Sequence, residues 1–457
     1  MFRRILVANR GEIAVRIIRA CHELGIETVL AHSDADRDSL AARLAYRTVC
    51  IGPGPSDKSY LNIPTVVSAA LTTGCDALHP GYGFLSENSY LAEVCEHCEL
   101  TFIGPPASVI DTFKNKVIAR QLMAQAGIPV VPGTNEAMVN LDTARAAAAV
   151  VGFPVILKAA SGGGGRGMRE ARSDEELVRL YPVATAEAQA TFGDGDIYVE
   201  RFVPMARHVE LQIAADLQGN VIHLGERDCS LQRRHQKLIE ESPSPAVSPE
   251  LREAMSAAAV HGARYAGYRN IGTIEFLVDP MGAFYFIEMN TRIQVEHPVT
   301  EMVTGLDLVK LQIQLAAGEP LPLRQEGVRM RGHAIEARVL AEDPARGFSP
   351  SFGRVSEYSP PGGPGVRVDS HLFAGYEPPP FYDSLLAKII VWGEDRVEAI
   401  ARMDRALSET SISGPKTTIP FLLALLRDEE FRRGRIHTQY AFSMDGSQDG
   451  EDGVANV

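Results

Sequence analysis

The sequence predicts a protein of mixed α/β and α+β class, divided into about three domains. Its 457 residues exceed the usual size of one domain, and a hydrophobic content of 45% suffices for several buried cores. The first segment alternates strand, helix and strand, which is typical of a Rossmann-like sheet. Further along, two strand-like runs flank a turn at 279–282, which predicts an antiparallel hairpin.

The hairpin carries a row of polar side chains. If residues 284–297 are extended throughout, alternate residues point to one face. The polar members of that face are Glu288, Asn290, Arg292, Gln294 and Glu296. A turn that sets Glu275 opposite Phe286 makes Glu275 and Glu288 diagonal neighbours, roughly 7 to 8 Å apart. Two carboxylates and an amide suit Mg²⁺, which also takes phosphate ligands, so the row favours a metal–nucleotide site over a solvated edge strand.

The first sixty residues predict a nucleotide-type fold that lacks its own dinucleotide. Strands are expected at 4–9 and 28–32, with a helix at 12–24 between them. The turn after the first strand contains only Gly11, whereas dinucleotide binding needs a G-x-G-x-x-G turn. We therefore disfavour a dinucleotide site.

A glycine-rich loop at 161–168 follows a strand predicted at 154–158 and precedes a returning strand at 168–172. The loop lacks the Gly-Lys-Ser/Thr ending of a P-loop, and its place between two strands differs from a Rossmann turn. We interpret it as a mobile flap whose backbone amides close on phosphates, with a disordered linker as the alternative. In the following helix, Ser173 to Glu176 fit a capping box, and Pro182 is expected to end or kink the helix.

Other polar segments also suggest a site. The loop at 79–88 combines glycines, an aromatic residue and polar groups, although a rigid turn would also explain it. The segment 226–237 gathers the cations Arg233, Arg234, His235 and Lys237. These either bind an anion or form a solvated charged run. Arg338 lies in a predicted strand at 332–339, where it shares one face with Glu336.

Composition excludes several classes of partner. A formal net charge of -13 disfavours nonspecific binding to nucleic acid or anionic membranes. The chain has neither a run of 18 apolar residues nor a leader with a cleavage region, so we expect it to be cytoplasmic. Cys95 and Cys98 are the one close cysteine pair, and without a second pair they do not predict a zinc site.

Five long motifs follow one another in the chain. They read HPGYGFLSEN, SGGGGRGMR, ERDCSLQRRHQK, FYFIEMNTRIQVEHPVTE and RGHAIEARV. In this order, over about residues 2–445, they resemble the biotin carboxylase family of the ATP-grasp superfamily. The resemblance implies a Rossmann-like N-terminal (pre-ATP-grasp) domain at 1–113 and an ATP-grasp domain at 114–330 with a mobile lid at about 131–203. It also implies a C-terminal α+β biotin carboxylase domain at 331–446, and we expect a disordered tail at 447–457.

The resemblance also implies a reaction and its cofactors. Members of the family use Mg-ATP to activate bicarbonate as carboxyphosphate and transfer the carboxyl group to N1′ of biotin on a carrier protein. Two Mg²⁺ ions, replaceable by Mn²⁺, would be held by Glu275, Glu288 and Asn290. The residues that would bind ATP are Lys116, Lys158, Gly164, Gly165, Met168, Glu200, Arg201, Val203, His208, Gln232, His235 and Leu277.

By the same resemblance, Lys237, Arg292 and the Val295 amide would neutralise and orient bicarbonate, beside Gln294. Glu296 would take the bicarbonate proton as general base. Arg338 would stabilise the biotin enolate, and Tyr82 would shape the biotin end of the cleft.

The implied partners are a second copy of the chain, a separate biotin carboxyl carrier protein and separate carboxyltransferase subunits. Together they would form an acetyl-CoA, other acyl-CoA or pyruvate carboxylase; the sequence does not fix the final acceptor. Two alternatives remain, an ATP-grasp ligase for another carboxylate and a silent assembly subunit that binds nucleotide. The presence of Glu288, Arg292, Glu296 and Arg338 counts against both.

Overall fold

The computed structural model describes residues 1–160 and 168–440. The chain begins with β1 (Arg4–Val7), α1 (Gly11–Glu23), β2 (Glu27–His32), α2 (Leu40–Leu44), β3 (Arg47–Cys50), α3 (Ile63–Thr72), β4 (Ala77–His79), α4 (Ser89–His97) and β5 (Thr101–Phe102). The strands form a parallel sheet in the order β3-β2-β1-β4-β5. This confirms the predicted Rossmann-like opening, in which apolar helix faces cover a buried parallel sheet.

Two helices lead out of the first sheet, α5 (Ala107–Lys114) and α6 (Lys116–Gln125). Asn115 separates them, and its side chain accepts the backbone N–H groups of Val117 and Ile118 as the cap of α6. The cap therefore places Lys116 at the first turn of α6.

A small three-stranded sheet follows. Its elements are α7 (Leu141–Val151), β6 (Val155–Ala159), β7 (Arg169–Ala171), α8 (Asp174–Phe192) and β8 (Ile197–Arg201). β6 lies between β7 and β8 and is antiparallel to both, so the strand-to-strand connection predicted around 161–168 is confirmed. The loop at 161–167, with Gly164 and Gly165, lies outside the described residues.

Of the two effects predicted for Pro182, an end or a kink of its helix, the first does not occur. Ser173 caps α8 by accepting the N–H of Glu176, and the helix continues to Phe192. Leu177, Ala184 and Ala188 are buried in the core of the small sheet. This packing on both sides of the proline outweighs the lost backbone hydrogen bond.

The largest element is an eight-stranded antiparallel sheet. The strands of its first half lie in the segment with β9 (Arg207–Ala215), β10 (Val221–Arg233), β11 (Gln236–Ser242), α9 (Pro249–Tyr265), β12 (Asn270–Val278), β13 (Phe284–Asn290), α10 (His297–Thr304) and α11 (Leu308–Ala316). The next segment contains β14 (His333–Leu340), β15 (Glu342–Asp343), β16 (Ser349–Pro350), β17 (Glu357–Ser359), β18 (Val366–Ser370), β19 (Leu385–Gly393), α12 (Arg396–Glu409), β20 (Ser411–Ser413), α13 (Ile419–Arg427) and α14 (Glu429–Arg432). Of its strands, β14, β18 and β19 form the second half of the sheet, whereas β15 pairs with β16 and β17 pairs with β20 in two separate sheets. The strand order is β13-β12-β9-β10-β11-β14-β19-β18, so pairing of β11 with β14 makes one continuous sheet of the two halves.

The hairpin of β12 and β13 forms as predicted, but two of its details differ. Phe276, and not Glu275, pairs with Phe286, and a one-residue bulge at Ile287 then sets Glu275 directly opposite Glu288. The two carboxylates are therefore direct cross-strand neighbours and not diagonal ones.

The second difference is that the strand ends at Asn290 instead of continuing to 296. Beyond it the chain turns toward the first sheet, where Glu87 accepts hydrogen bonds from the backbone N–H of Thr291 and from Arg292 Nε. In residues 1–160 and 168–440, no helix combines the length and the apolar character needed to cross a membrane.

Candidate active site

A cavity of about 950 Å³ lies where the first parallel sheet, the small three-stranded sheet and the eight-stranded sheet meet. It contains every candidate site residue in the described part of the chain. They are Tyr82, Lys116, Lys158, Met168, Glu200, Arg201, Val203, His208, Gln232, His235, Lys237, Glu275, Leu277, Glu288, Asn290, Arg292, Gln294, Val295, Glu296 and Arg338. Residues far apart in sequence thus meet in one concave site, the usual form of a small-molecule site.

One corner of the cavity presents oxygen ligands. Asn290 Nδ2 donates to Glu275 Oε1 over 2.7 Å, which leaves the amide oxygen on the side of the cavity, where Arg292 also donates to it. Glu288 Oε2 lies 2.6 Å from Lys116 Nζ. Carboxylate and amide oxygens on two paired strands are the donor set that Mg²⁺ prefers, and Lys116 adds a cation for phosphate oxygens. These residues therefore fit a magnesium–nucleotide complex.

A second group of cations faces the same corner from β6 and β9. Lys158 Nζ lies 2.6 Å from Glu200 Oε2, and Arg120 contacts the other oxygen of that carboxylate at 2.9 Å. His208 Nε2 lies 2.9 Å from Glu275 Oε2. Burial lowers the His208 pKa, but the adjacent Glu275 carboxylate raises it above its ordinary value. The histidine therefore tends to carry a proton beside the oxygen ligands.

The nucleotide end of the cavity also has an apolar lining, from Val203 and Leu277. These two residues pack together with Val131, Ala206 and Tyr285. Arg201 lies over the Tyr285 ring, 5.8 Å from its centroid. An apolar slot beside the backbone at 200–203 offers a flat surface and peptide groups to a planar heterocycle.

Lys237 is the centre of the ionic network. Its ammonium group contacts Glu210 at 2.7 Å and Gln294 Oε1 at 3.3 Å, and it also bonds the Glu296 carboxylate. Burial disfavours the charged form, yet the surrounding carboxylates raise the Lys237 pKa well above its ordinary value. The lysine therefore stays protonated between the phosphate corner and Glu296.

Glu296 bridges Lys237 and Arg338. Its second oxygen accepts from the Arg338 guanidinium over 2.9 Å. Burial raises the pKa of this carboxyl, but the charges of Lys237, Arg338 and Arg227 hold it far below the ordinary value. Glu296 is therefore ionised at neutral pH and able to accept a proton.

Arg292 and Tyr82 link the cavity to the first sheet. Arg292 Nε donates to Glu87 over 3.0 Å and its NH2 group donates to Asn290 over 3.0 Å. The Tyr82 hydroxyl donates to the buried carboxylate of Glu12. The four cations predicted at 233–237, by contrast, do not form one anion site. Arg233 lies over the Phe348 ring, 3.7 Å from its centroid, while Lys237 joins the ionic network.

Sequence reasoning missed the buried groups that hold the network, chiefly Glu210 and Arg227. Arg227 is 0% exposed and donates to Glu210 over 2.6 Å, to Gln212 over 2.7 Å and to Thr300 over 3.0 Å. One signal was available in β9, because His208, Glu210 and Gln212 alternate with apolar residues and so share one face.

Replacing Arg227 by methionine is expected to lower the free energy of unfolding by about 3 to 5 kcal/mol, because the Glu210 carboxylate loses a buried partner. Urea unfolding at pH 7 measures this. The control is Arg427→Met, which removes a largely exposed arginine paired with Asp404 and is expected to cost less than about 1 kcal/mol. Equal effects of the two substitutions would contradict a structural role for Arg227.

Behind Arg338 lies a pair of buried acids, Glu240 on β11 and Glu336 on β14. They are direct cross-strand partners, and both are 0% exposed. Arg338 Nε donates to Glu240 over 2.6 Å, while neither Glu336 oxygen finds a hydrogen-bond donor among the described residues. Burial, together with the Glu296 charge, raises the pKa of Glu240 to about 7, and burial raises that of Glu336 well above its ordinary value.

The pKa of Glu240 is about 7 in the folded chain, against an ordinary value of 4.5 that applies to the unfolded chain. The contribution of Glu240 to the free energy of unfolding is therefore fully present below pH 4.5 and is lost as the pH rises from there through about 7. Glu240→Gln keeps the neutral form at every pH. We therefore expect its free energy of unfolding, relative to the parent chain, to increase by roughly 3 kcal/mol between pH 5 and pH 8. Urea unfolding across this range measures the difference, and a pH-independent difference would contradict the ionisation of Glu240.

Comparison with known proteins agrees with this geometry. Three family models match the chain: "Biotin carboxylase, N-terminal domain" over residues 1–110, "Carbamoyl-phosphate synthase L chain, ATP binding domain" over 115–324 and "Biotin carboxylase C-terminal domain" over 336–441. The biotin carboxylase of Nostoc sp. is 54% identical over 97% of this chain and 99% of its own length. The chain belongs to the biotin carboxylase family.

Similarity extends to relatives named for other carboxylases. A pyruvate carboxylase subunit of Methanothermobacter thermautotrophicus is 53% identical over 96% of this chain and 89% of its own length. The biotin carboxylase domain dimer of the Hydrogenobacter thermophilus 2-oxoglutarate carboxylase, solved with MgADP, ADP and bicarbonate, has a TM-score of 0.94. It is 49% identical and covers 96% of this chain and 97% of its own.

Membership confirms the family, the fold class and the activity expected from the sequence. The chain is an ATP-dependent ligase that carboxylates biotin with bicarbonate, with ATP and Mg²⁺ as cofactors. The two alternative hypotheses, a silent nucleotide-binding protein and a ligase for another carboxylate, are both set aside.

Proposed function

We propose that the chain forms carboxyphosphate from bicarbonate and the γ-phosphoryl group of ATP, and that it then carboxylates N1′ of biotin on a carrier protein. One observation carries this proposal. Lys237, Glu296 and Arg338 form an unbroken series of ionic contacts that runs from the oxygen-ligand corner toward the Tyr82 end. A base thus lies between one cation on the phosphate side and another on the biotin side.

In this proposal the oxygen-ligand corner holds ATP. Glu275, Glu288 and Asn290 would hold Mg²⁺, which when bound neutralises phosphate charge. Lys116 and Lys158 bind phosphate oxygens and exchange their present partners, Glu288 and Glu200, for them. The adenine ring lies in the apolar slot formed with Val203 and Leu277.

The remaining ATP ligands surround these groups. His208, Gln232 and His235 face the phosphates and ribose, and the side-chain amide of Gln232 lies 2.9 Å from His208 Nδ1. Glu200 and Arg201 contribute to the adenine side, together with Met168. Gly164 and Gly165 belong to this proposal through their motif alone.

Bicarbonate binds beside the ionic network. Lys237 and Arg292 neutralise the anion, and Gln294 and the Val295 amide orient it toward the γ-phosphorus. Glu296 takes the bicarbonate proton, so that a better nucleophile attacks phosphorus and ADP leaves. The ionised state of Glu296 is a condition for this step.

Biotin occupies the end of the cavity near Tyr82. Carboxyphosphate breaks down to CO₂ and phosphate, the phosphate takes the N1′ proton, and the nitrogen then bonds to CO₂. Loss of the N1′ proton places negative charge on the ureido oxygen, and the Arg338 guanidinium stabilises that charge. Arg338 also bonds Glu296, so one guanidinium group contacts both the bicarbonate site and the biotin site.

The proposed domain division separates the first sheet from the rest of the chain and divides the eight-stranded sheet between β11 and β14. We propose domains at 1–113, 114–330 and 331–446, with the small sheet of β6, β7 and β8 acting as a lid within about 131–203. Lys158 and Glu200 lie on this sheet, so its closure would bring them onto the nucleotide. The residues of the tail at 447–457 lie outside the described part.

The proposed partners are a second copy of the chain, a biotin carrier and a carboxyltransferase. A dimer is supported by the Hydrogenobacter thermophilus domain, which was solved as a dimer. Relatives named for pyruvate and 2-oxoglutarate carboxylases are about equally similar to this chain, which supports assigning the choice of acceptor to the carboxyltransferase.

Release of ADP tests the proposal. The chain is incubated with Mg-ATP, with and without bicarbonate and a high concentration of free biotin as a weak substitute for the carrier. We expect release to require bicarbonate and to rise with biotin. ADP release at the same rate with and without bicarbonate would overturn the proposal.

A further inference from the structure

Lys388 is a wholly buried lysine that none of the proposed steps uses. It lies in β19 between apolar residues and is 0% exposed. In the sheet it is directly opposite Arg338 on β14 and Asp369 on β18, so the three side chains share one face. A buried ammonium is costly unless its hydrogen bonds and charge are satisfied, so its partners are informative.

The direct partners of Lys388 belong to the catalytic cavity. Its ammonium group donates to the carbonyl oxygen of Val295 over 2.8 Å and lies 3.1 Å from Glu12 Oε1. Glu12 in turn accepts the hydroxyl hydrogen of Tyr82. Asp369 is farther away, at 4.0 Å, and is already bonded by Arg367.

The Val295 carbonyl is part of the peptide group that joins Val295 to Glu296. This segment follows the end of β13, so no strand ladder holds it. The carbonyls on either side, of Gln294 and Glu296, accept backbone N–H groups at the start of α10. The Val295 carbonyl points instead to Lys388, a side chain from the opposite half of the eight-stranded sheet.

We infer that Lys388 is a positioning residue, which fixes the peptide before Glu296 and thereby aims the base and the neighbouring Val295 amide at bicarbonate. The inference rests on the proposed roles of Glu296 and Val295. Through Glu12 the same ammonium group fixes the ring position of Tyr82. The strand of Lys388, β19, also pairs with β14 and so positions Arg338. One buried side chain thus sets the relative positions of the bicarbonate and biotin sites.

The test compares the double variant Glu12→Gln/Lys388→Met with the single variant Glu12→Gln. Methionine has a similar length without a donor, and the glutamine removes the buried carboxylate that would otherwise lose its partner. We expect the double variant to lose about 10- to 100-fold in kcat/KM for bicarbonate in ATP cleavage, as is typical when a ligand loses its supporting contact. The KM for ATP is expected to stay within twofold.

Circular dichroism and thermal unfolding establish that the compared variants fold. Glu12→Gln/Lys388→Gln serves as a second variant, because its shorter amide cannot reach the Val295 carbonyl. An unchanged kcat/KM for bicarbonate in a folded double variant overturns the inference. A rise in the KM for ATP as large as the loss in kcat/KM for bicarbonate also overturns it, because the substitution would then disturb the whole cavity. Failure of both double variants to fold also overturns it, because Lys388 then has a purely structural role. Absence of bicarbonate-dependent ADP release in the parent chain would instead overturn the proposed function.

Discussion

Replacing Glu296 by glutamine is expected to reduce bicarbonate-dependent ATP cleavage by about 10³-fold, the range found for loss of a general base. The amide has nearly the same shape as the carboxylate but cannot accept the bicarbonate proton. ATP is held by groups at the other end of the cavity, so its binding is expected to change by less than twofold. Steady-state ADP release and direct nucleotide titration measure the two quantities.

The control for this variant is Glu409→Gln, which changes a half-exposed glutamate paired with Arg405 on α12. It is expected to behave as the parent chain does. Full turnover by Glu296→Gln would eliminate Glu296 as the base. A matching loss of nucleotide binding would show that the carboxylate acts mainly by holding Lys237.

Replacing Arg338 by alanine is expected to reduce carboxylation of biotin by about 10²- to 10³-fold, as for the loss of one oxyanion donor. Bicarbonate-dependent ATP cleavage should fall by less than about tenfold. A small loss of ATP cleavage is expected because Glu296 loses the 2.9 Å contact with Arg338. Labelled bicarbonate incorporated into biotin, measured beside ADP release, separates the two reactions.

Arg427→Ala provides the control, since this arginine is paired at the surface with Asp404. Neither reaction is expected to change in it. If Arg338→Ala lost both reactions to the same extent, the arginine would be acting on Glu296 and not on the biotin enolate.

The sequence was most informative where local patterns and the buried structure agree. The strand, helix and strand of 4–32 and the hairpin around 279–282 were predicted because apolar periodicity and turn residues specify them without long-range contacts. The polar row on 288–296 was also found, although its second half is a loop. A strand and a loop can both place alternate polar residues in one cavity, so the pattern does not show that β13 ends at Asn290, where the chain turns to contact Glu87.

The supporting network could not be derived in this way. Glu210 and Arg227 lie opposite each other in the β9–β10 pairing, but Thr300 on α10 also contacts Arg227. Lys388 contacts Val295 in the loop after β13 and Glu12 on α1, and these partners are distant from it in sequence. A lone lysine in the apolar strand 385–393 is a signal that a charge is buried, but it does not identify the partner. The bulge at Ile287 likewise depends on packing across the hairpin, so the direct pairing of Glu275 with Glu288 required the structure.

The most direct test of the account follows oxygen from bicarbonate. In a reaction through carboxyphosphate, a bicarbonate oxygen attacks the γ-phosphorus and remains on the inorganic phosphate after the carboxyl group leaves. With ¹⁸O-labelled bicarbonate, Mg-ATP and biotin, we expect one labelled oxygen in each phosphate released. Phosphate that carries only oxygen from water would contradict the account, because ATP would then be hydrolysed without activation of bicarbonate.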